Sequence, residues 1–193
     1  PYTGNKAIRV PMTILGLLGV QVFFVISGFL ITTLLLKEKA SSGTISLKDF
    51  YIRRALRILP VVFLYLGFLT VMNSAFHLEI PLAAFLGATF FLANLPPFQQ
   101  SWYTAHFWSL SIEEQYYLGY PFILKRFTSS LHYILSSLIL IVFLIQTGVI
   151  GEYLPKWPVF EWIGQLTYQS DGVLVGSLMS LLCFRSAIPI TLA

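Results

Sequence analysis

Residues Val10 to Leu36 form a run of 27 residues without a charged side chain. As a helix this run would be about 40 Å long, enough to cross a bilayer's hydrocarbon core with tilt. Only Gln21, Ser27 and a few threonines interrupt it, and Gly16, Gly19 and Gly28 predict close approach of a neighbouring helix. Composition agrees with a membrane setting. The chain is 56% hydrophobic and 10% charged, against about 25% charged for a soluble domain. Its 17 Phe, 10 Tyr and 4 Trp would overload a water-exposed surface. A net charge of +4 could suit nucleic acid. The basic residues, however, gather at the ends of apolar runs, the pattern of membrane-flanking charge, and nucleic acid is excluded as a partner.

The fold class expected is therefore all-α, a polytopic transmembrane helical bundle. Further spans are predicted at about Ile58 to Phe76, Phe107 to Leu124, Leu131 to Ile150 and Ile163 to Phe184. Residues 37–57 are the most charged segment and read as a cytoplasmic loop by their excess of Lys and Arg. Within it, Asp49 is expected to cap the helix that follows. Pro60 is expected in the first turn of the second span, where a missing N–H is tolerated. The loop Gly151 to Trp162 carries Trp157 and Trp162 and suggests an aromatic belt. The single Cys183 sits in an apolar run and reads as a small hydrophobe. There is no internal repeat. Both ends look cut, so the chain is expected to be a fragment, 1–193 being one partial domain.

Topology turns on Leu82 to Leu95, which is apolar but only 14 residues long. If it crosses, Lys125 and Arg126 fall on the outside. If it is re-entrant or interfacial, they and Arg185 join the 37–57 loop inside. The positive-inside rule favours the second arrangement, with about five true crossings. Lys6 and Arg9 on the outside count against it.

Chemistry concentrates in Glu113 and Glu114, side by side in an apolar, aromatic stretch. A charged side chain at the centre of a membrane helix costs roughly 2.5–3.5 kcal/mol, so it normally faces a cavity or a partner and marks a functional site. On a helix Ser109 and Glu113 share a face, as do Glu113, Tyr116 and Tyr117. His106 lies three residues before Ser109. The plain alternative is a polar network that only stabilises the bundle. Arg53, Arg54 and Arg57 are helical neighbours whose guanidinium groups could hold a phosphorylated cosubstrate or simply anchor the helix at head groups. His77, His106 and His132 form no ligand-spaced pair, and no metal site is read. Ser27 lacks the nucleophile-elbow pattern and reads as a helix-packing hydroxyl.

Three long stretches resemble the integral-membrane acyltransferase 3 family. They are Gly16-x-x-Gly19-Val20-Gln21-Val22-Phe23-Phe24-Val25-Ile26-Ser27-Gly28-Phe29-Leu30-Ile31-Thr32, Phe50-Tyr51-x-Arg53-Arg54-x-x-Arg57-Ile58-x-Pro60 and His106-x-Trp108-Ser109-Leu110-x-x-Glu113-Glu114-Gln115-Tyr116-Tyr117. Asp171 with Gly176 resembles a later, looser signature. All four run in the family's order. The resemblance implies transfer of an acyl group, commonly acetyl, from acyl-coenzyme A to a hydroxyl of a carbohydrate. The resemblance implies acceptors such as lipopolysaccharide, peptidoglycan, exopolysaccharide or antibiotic sugars.

By position the resemblance makes Glu113 catalytic, with Arg54 and Arg57 the functional arginine pair. It implies an essential histidine on a helix upstream of the first signature, a helix expected to be missing here together with further C-terminal ones. Gln21 stands where many members carry Asp. Arg53, Ser109 and His106 complete the expected substrate-binding set. No bound cofactor is expected, acyl-coenzyme A being a cosubstrate. Membrane lipid and a carbohydrate acceptor are the expected partners, and an inner or plasma membrane the location. The alternative function is a membrane transporter using its intramembrane acids.

Overall fold

The computed structural model describes residues 6–98, 101–147 and 170–191, and the side chains among them outside 6–14 and 187–191. Among the described residues the structure is helical and has no strand. Six α-helices follow in order: α1 Lys6–Ser42, α2 Leu47–Phe76, α3 Leu82–Thr89, α4 Phe107–Phe127, α5 Leu131–Gln146 and α6 Asp171–Thr191. A single 3-10 turn, Trp102–Thr104, precedes α4. The aromatic loop Gly151 to Trp162 and the expected start of the last span, 163–169, lie outside the described residues.

Two helices, Leu15–Ser42 of α1 and Leu47–Phe76 of α2, are long and apolar enough to cross a membrane. The core helix of a soluble protein would hide such a surface. Here only 22% and 17% of their apolar stretches are buried, and Phe63, Leu64, Phe68 and Val71 of α2 are all more than half exposed. Apolar surface on that scale needs a non-aqueous covering.

The charged segment 37–57 is not a loop. Helix α1 continues to Ser42 and α2 begins at Leu47, leaving a connection of only four residues. Gly43, at φ +75°, ends α1 in the left-handed region that glycine adopts without strain. The cap of α2 is Ser46 rather than Asp49. The Ser46 Oγ accepts from the Asp49 N–H at 3.4 Å, and Asp49 stands in the first turn, where a carboxylate suits the helix dipole. Pro60 is correspondingly deep in α2 and not in its first turn. It leaves the Leu56 carbonyl without its helical donor, which an otherwise strongly apolar 30-residue helix tolerates.

Segment 82–95 does not cross as a helix. The eight residues of α3 rise about 12 Å, well short of a bilayer core. The chain then turns through Phe90 to Phe98 and returns as α4. Lys125 Nζ, near the end of α4, donates to the Ile45 carbonyl in the α1–α2 connection at 2.7 Å. Arg185 of α6 reaches the Ser129 carbonyl beyond α4 at 2.7 Å. The cations of residues 37–57, 125–126 and 185 therefore gather at one end of the bundle, the arrangement favoured by charge.

Helices α1 and α6 pack backbone to backbone. A Cβ on Gly28 would meet the Val173 carbonyl oxygen, and one on Gly176 would meet the Val25 carbonyl oxygen. Of the three glycines expected to make room on α1, Gly28 does so among the described residues. Gly16 and Gly19 have nothing within 4 Å among the described residues. Around this seam the core is built from Leu35, Tyr117, Tyr120, Leu124, Leu131, Leu135 and Leu181. Asp171 is the first residue of α6 rather than an interior one. Cys183 is exposed, not a buried hydrophobe.

Gly176→Val is expected to destabilise the bundle by about 1–3 kcal/mol, because neither backbone can give way. Gly67→Ala, on a helical face with nothing within 4 Å, should be neutral or stabilising by up to about 1 kcal/mol. Thermal unfolding in detergent micelles measures both.

Candidate active site

Three consecutive polar residues on α4, Glu113, Glu114 and Gln115, organise the interior. Successive residues of a helix point about 100° apart, so the three face three different neighbours. In apolar surroundings each must find a partner.

Glu113 turns towards α1 and is 4% exposed. Its carboxylate accepts from the Ser27 hydroxyl and from the Tyr117 hydroxyl at 3.1 Å. Ser27 and Tyr117 also touch each other through their oxygens. Glu114 turns towards α2 and pairs with Arg54 in a fork, Nε to Oε2 at 3.1 Å and Nη2 to Oε1 at 2.5 Å. Both side chains are 18% exposed. The Arg54 guanidinium also lies over the Tyr117 ring, 3.4 Å from its centroid. Gln115 turns towards the chain reversal after α3. It exchanges two hydrogen bonds with Asn94, at 2.8 and 3.0 Å, and donates to the Phe91 carbonyl at 2.9 Å.

Between α1, α2 and α4 these contacts leave a cavity of about 330 Å³, within the range of small-molecule sites. Its polar lining is Ser27, Arg54, Arg57, Glu113 and Tyr117, and its apolar lining includes Phe23, Leu30, Ile31 and Leu110. A second cavity of about 420 Å³ shares Ile31, Leu34, Arg54 and Arg57 with the first and runs along the α1–α2 groove to Glu38 and Arg53. The groove thus leads from the cationic end of the bundle to the buried carboxylate.

The expected site residues divide sharply. Arg54, Arg57 and Glu113 come together in one cavity. Arg53 lines only the outer part, where it pairs with Glu38 at 3.3 Å. Ser109 and His106 do not line the cavity. The Ser109 Oγ donates back to the His106 carbonyl at 3.1 Å, as hydroxyls in a first helical turn commonly do. The His106 ring packs edge-on against Tyr65, with centroids 5.1 Å apart. One helical turn separates Ser109 from Glu113, and the Ser109 hydroxyl is taken by its own backbone rather than by the cavity.

Sequence reasoning read two residues incompletely. Ser27 read as a packing hydroxyl, whereas it is the donor held on Glu113. The available signal was a hydroxyl next to Gly28, a residue that brings α1 against a neighbour. Glu114 is the second, because it takes one of the two arginines expected to face a phosphate. Among the described residues Arg57 makes no ion pair, so it brings uncompensated positive charge to the cavity.

The acyltransferase domain profile matches residues 1–187. The chain belongs to the acyltransferase domain family. Within that family, a Staphylococcus aureus (strain COL) protein whose name provisionally assigns it O-acetyltransferase activity is 40% identical over 127 residues, 56% of this chain and 20% of its own length. The peptidoglycan O-acetyltransferase OatA of Listeria monocytogenes is 34% identical over 125 residues, 58% of this chain and 20% of its own. The O-acetyltransferase OatA of Staphylococcus aureus (strain NCTC 8325 / PS 47) is 34% identical over 134 residues, 58% of this chain and 21% of its own. The match thus spans about a fifth of the length of these curated relatives. No solved structure matches the chain.

Within this acyltransferase domain, Arg54 and Glu114 are expected to act as one structural unit. Arg54→Met alone strands a carboxylate and should cost about 3–5 kcal/mol. Arg54→Met with Glu114→Gln should recover most of the loss in thermal unfolding, and Arg57→Met should shift stability by no more than about 0.5 kcal/mol.

Proposed function

We propose that the full-length protein is a multi-pass membrane O-acyltransferase that moves an acyl group, acetyl in the first instance, from acyl-coenzyme A to a hydroxyl of a cell-envelope carbohydrate. The observation that carries this reading is the meeting of a buried carboxylate, Glu113, with the guanidinium of Arg57, which makes no ion pair among the described residues, in one cavity of a domain that belongs to an acyltransferase family. The names of the relatives support O-acetylation, and the Listeria protein's name supports peptidoglycan as one acceptor.

In this reading α1, α2, α4, α5 and α6 cross an inner or plasma membrane, with the cationic end in the cytoplasm, where acyl-coenzyme A is made. The donor enters along the α1–α2 groove. Arg54, nearer the cationic end, is held by Glu114 and shapes the groove, and Arg57, one turn deeper along α2, meets the donor's phosphates. The thioester carbonyl then lies near Glu113. Transfer requires a base to take the proton from the acceptor hydroxyl as its oxygen attacks the thioester carbon and the thiol leaves. The family resemblance assigns that base to a histidine upstream of the first signature. Glu113 orients the base or the acceptor, and Ser27 and Tyr117 hold the carboxylate in place.

Glu113→Gln in the full-length enzyme should abolish acyl transfer while leaving membrane insertion intact. Arg57→Ala should raise KM for acyl-coenzyme A about tenfold or more, the worth of one charge-assisted hydrogen bond. Mass spectrometry of cell-envelope glycans, from cells with and without the full gene, identifies the acceptor. Acylation unchanged in both variants, or ion flux that needs no acyl donor, would overturn the reading.

A further inference from the structure

A third cavity, of about 540 Å³, opens where α1 and α4 end and α6 passes them. Among the described residues its lining includes four cations, Lys39, Lys125, Arg126 and Arg185, and no carboxylate. It shares no residue with the Glu113 cavity. The polar contacts of these cations aim the charges without cancelling them. Lys39 Nζ donates to the Thr128 hydroxyl at 2.6 Å, and Lys125 Nζ to the Ile45 carbonyl at 2.7 Å. Arg185 donates to the Ser129 carbonyl at 2.7 Å and contacts His132 Nδ1 at 2.9 Å. The ion pairs among the described residues, Arg53 with Glu38 and Arg54 with Glu114, lie outside this cavity.

Helix C-termini attract cations, which suits Lys39, Lys125 and Arg126. They do not account for Arg185, six residues before the end of α6. A helix end also carries only about half a negative charge, too little to neutralise the cluster. Four like charges sharing one cavity repel unless an anion joins them.

We infer that this cavity binds the phosphate of an anionic membrane lipid, with the head group among the four cations and the acyl chains along α6. The apolar wall selects lipid over free phosphate. Leu181 and Phe184 line the cavity, and the neighbouring Leu182 is 52% exposed on the outside of α6. A soluble phosphate has no use for that surface, whereas an acyl chain covers it. The inference requires the helices to lie in a bilayer and is independent of the acyl-transfer reading.

The test is native mass spectrometry of the full-length protein in detergent, titrated with phosphatidylglycerol, phosphatidylcholine or inorganic phosphate. Phosphatidylglycerol should remain bound and phosphatidylcholine should not. Lys39→Gln with Arg185→Gln should weaken phosphatidylglycerol binding about 25-fold, about fivefold for each cation removed. Lys37→Gln with Lys48→Gln removes two exposed cations near the same end but outside the cavity, and should change binding by less than about threefold. The charge-preserving pair Lys39→Arg with Arg185→Lys should keep binding, and covers the case in which the glutamine pair fails to fold. Equal losses in the two glutamine pairs, equal retention of phosphatidylcholine, loss of binding in the charge-preserving pair, or displacement of the lipid by millimolar inorganic phosphate would each overturn the assignment.

Discussion

The structure depends on the high cost of leaving a polar side chain unsatisfied in apolar surroundings. Helix α4 places Glu113, Glu114 and Gln115 in succession, and their directions fan across most of the helix circumference. Such a helix is stable only when something polar waits on each side. Ser27 of α1, Arg54 of α2 and Asn94 after α3 fill those places. Satisfying α4 therefore sets where three other segments must lie. The space left between the first two is the cavity.

Helix α1 is held between two different demands. Gly28 removes a side chain so that α6 can approach to backbone contact. Ser27, one residue earlier and about 100° round the helix, faces α4 instead. A shift of α1 that relaxed one contact would disturb the other. The seam is stitched further by Tyr116 with Ser177 at 2.7 Å and Thr32 with Tyr120 at 2.8 Å. The second pair ties α1 directly to α4, and the first ties α4 to α6, which Gly28 brings against α1.

Charge has opposite meanings at two places in the molecule. Beside the carboxylates, Arg54 is neutralised and stacked on Tyr117, so it is structural before it is anything else. Arg57, one turn further along α2, keeps its charge available to the cavity. At the end of the bundle, among the described residues, Lys39, Lys125 and Arg185 bond to hydroxyl, carbonyl and imidazole groups, and Arg126 lies over the Phe127 ring. Positive-inside counting treats all these residues alike. Their partners separate a load-carrying ion pair from cations without a carboxylate partner among the described residues.

Sequence alone determined the helical class, the two longest apolar runs and the clustering of cations at one end, and it put forward Glu113, Arg54 and Arg57, which the structure brings into one cavity. Each follows from residue type and spacing, or from resemblance to a known family. Element boundaries were less legible, because capping depends on local geometry. Ser46 rather than Asp49 starts α2, and Pro60 rides inside a helix that a propensity argument would break. Only tertiary structure decided that Ser27 holds Glu113, that Glu114 claims Arg54, and that Ser109 and His106 lie outside the cavity. The physical reason is that a hydrogen bond is short and directional, whereas burial is neither. The sequence records that a buried carboxylate needs a partner, but which hydroxyl or guanidinium comes within 3 Å depends on how whole helices pack.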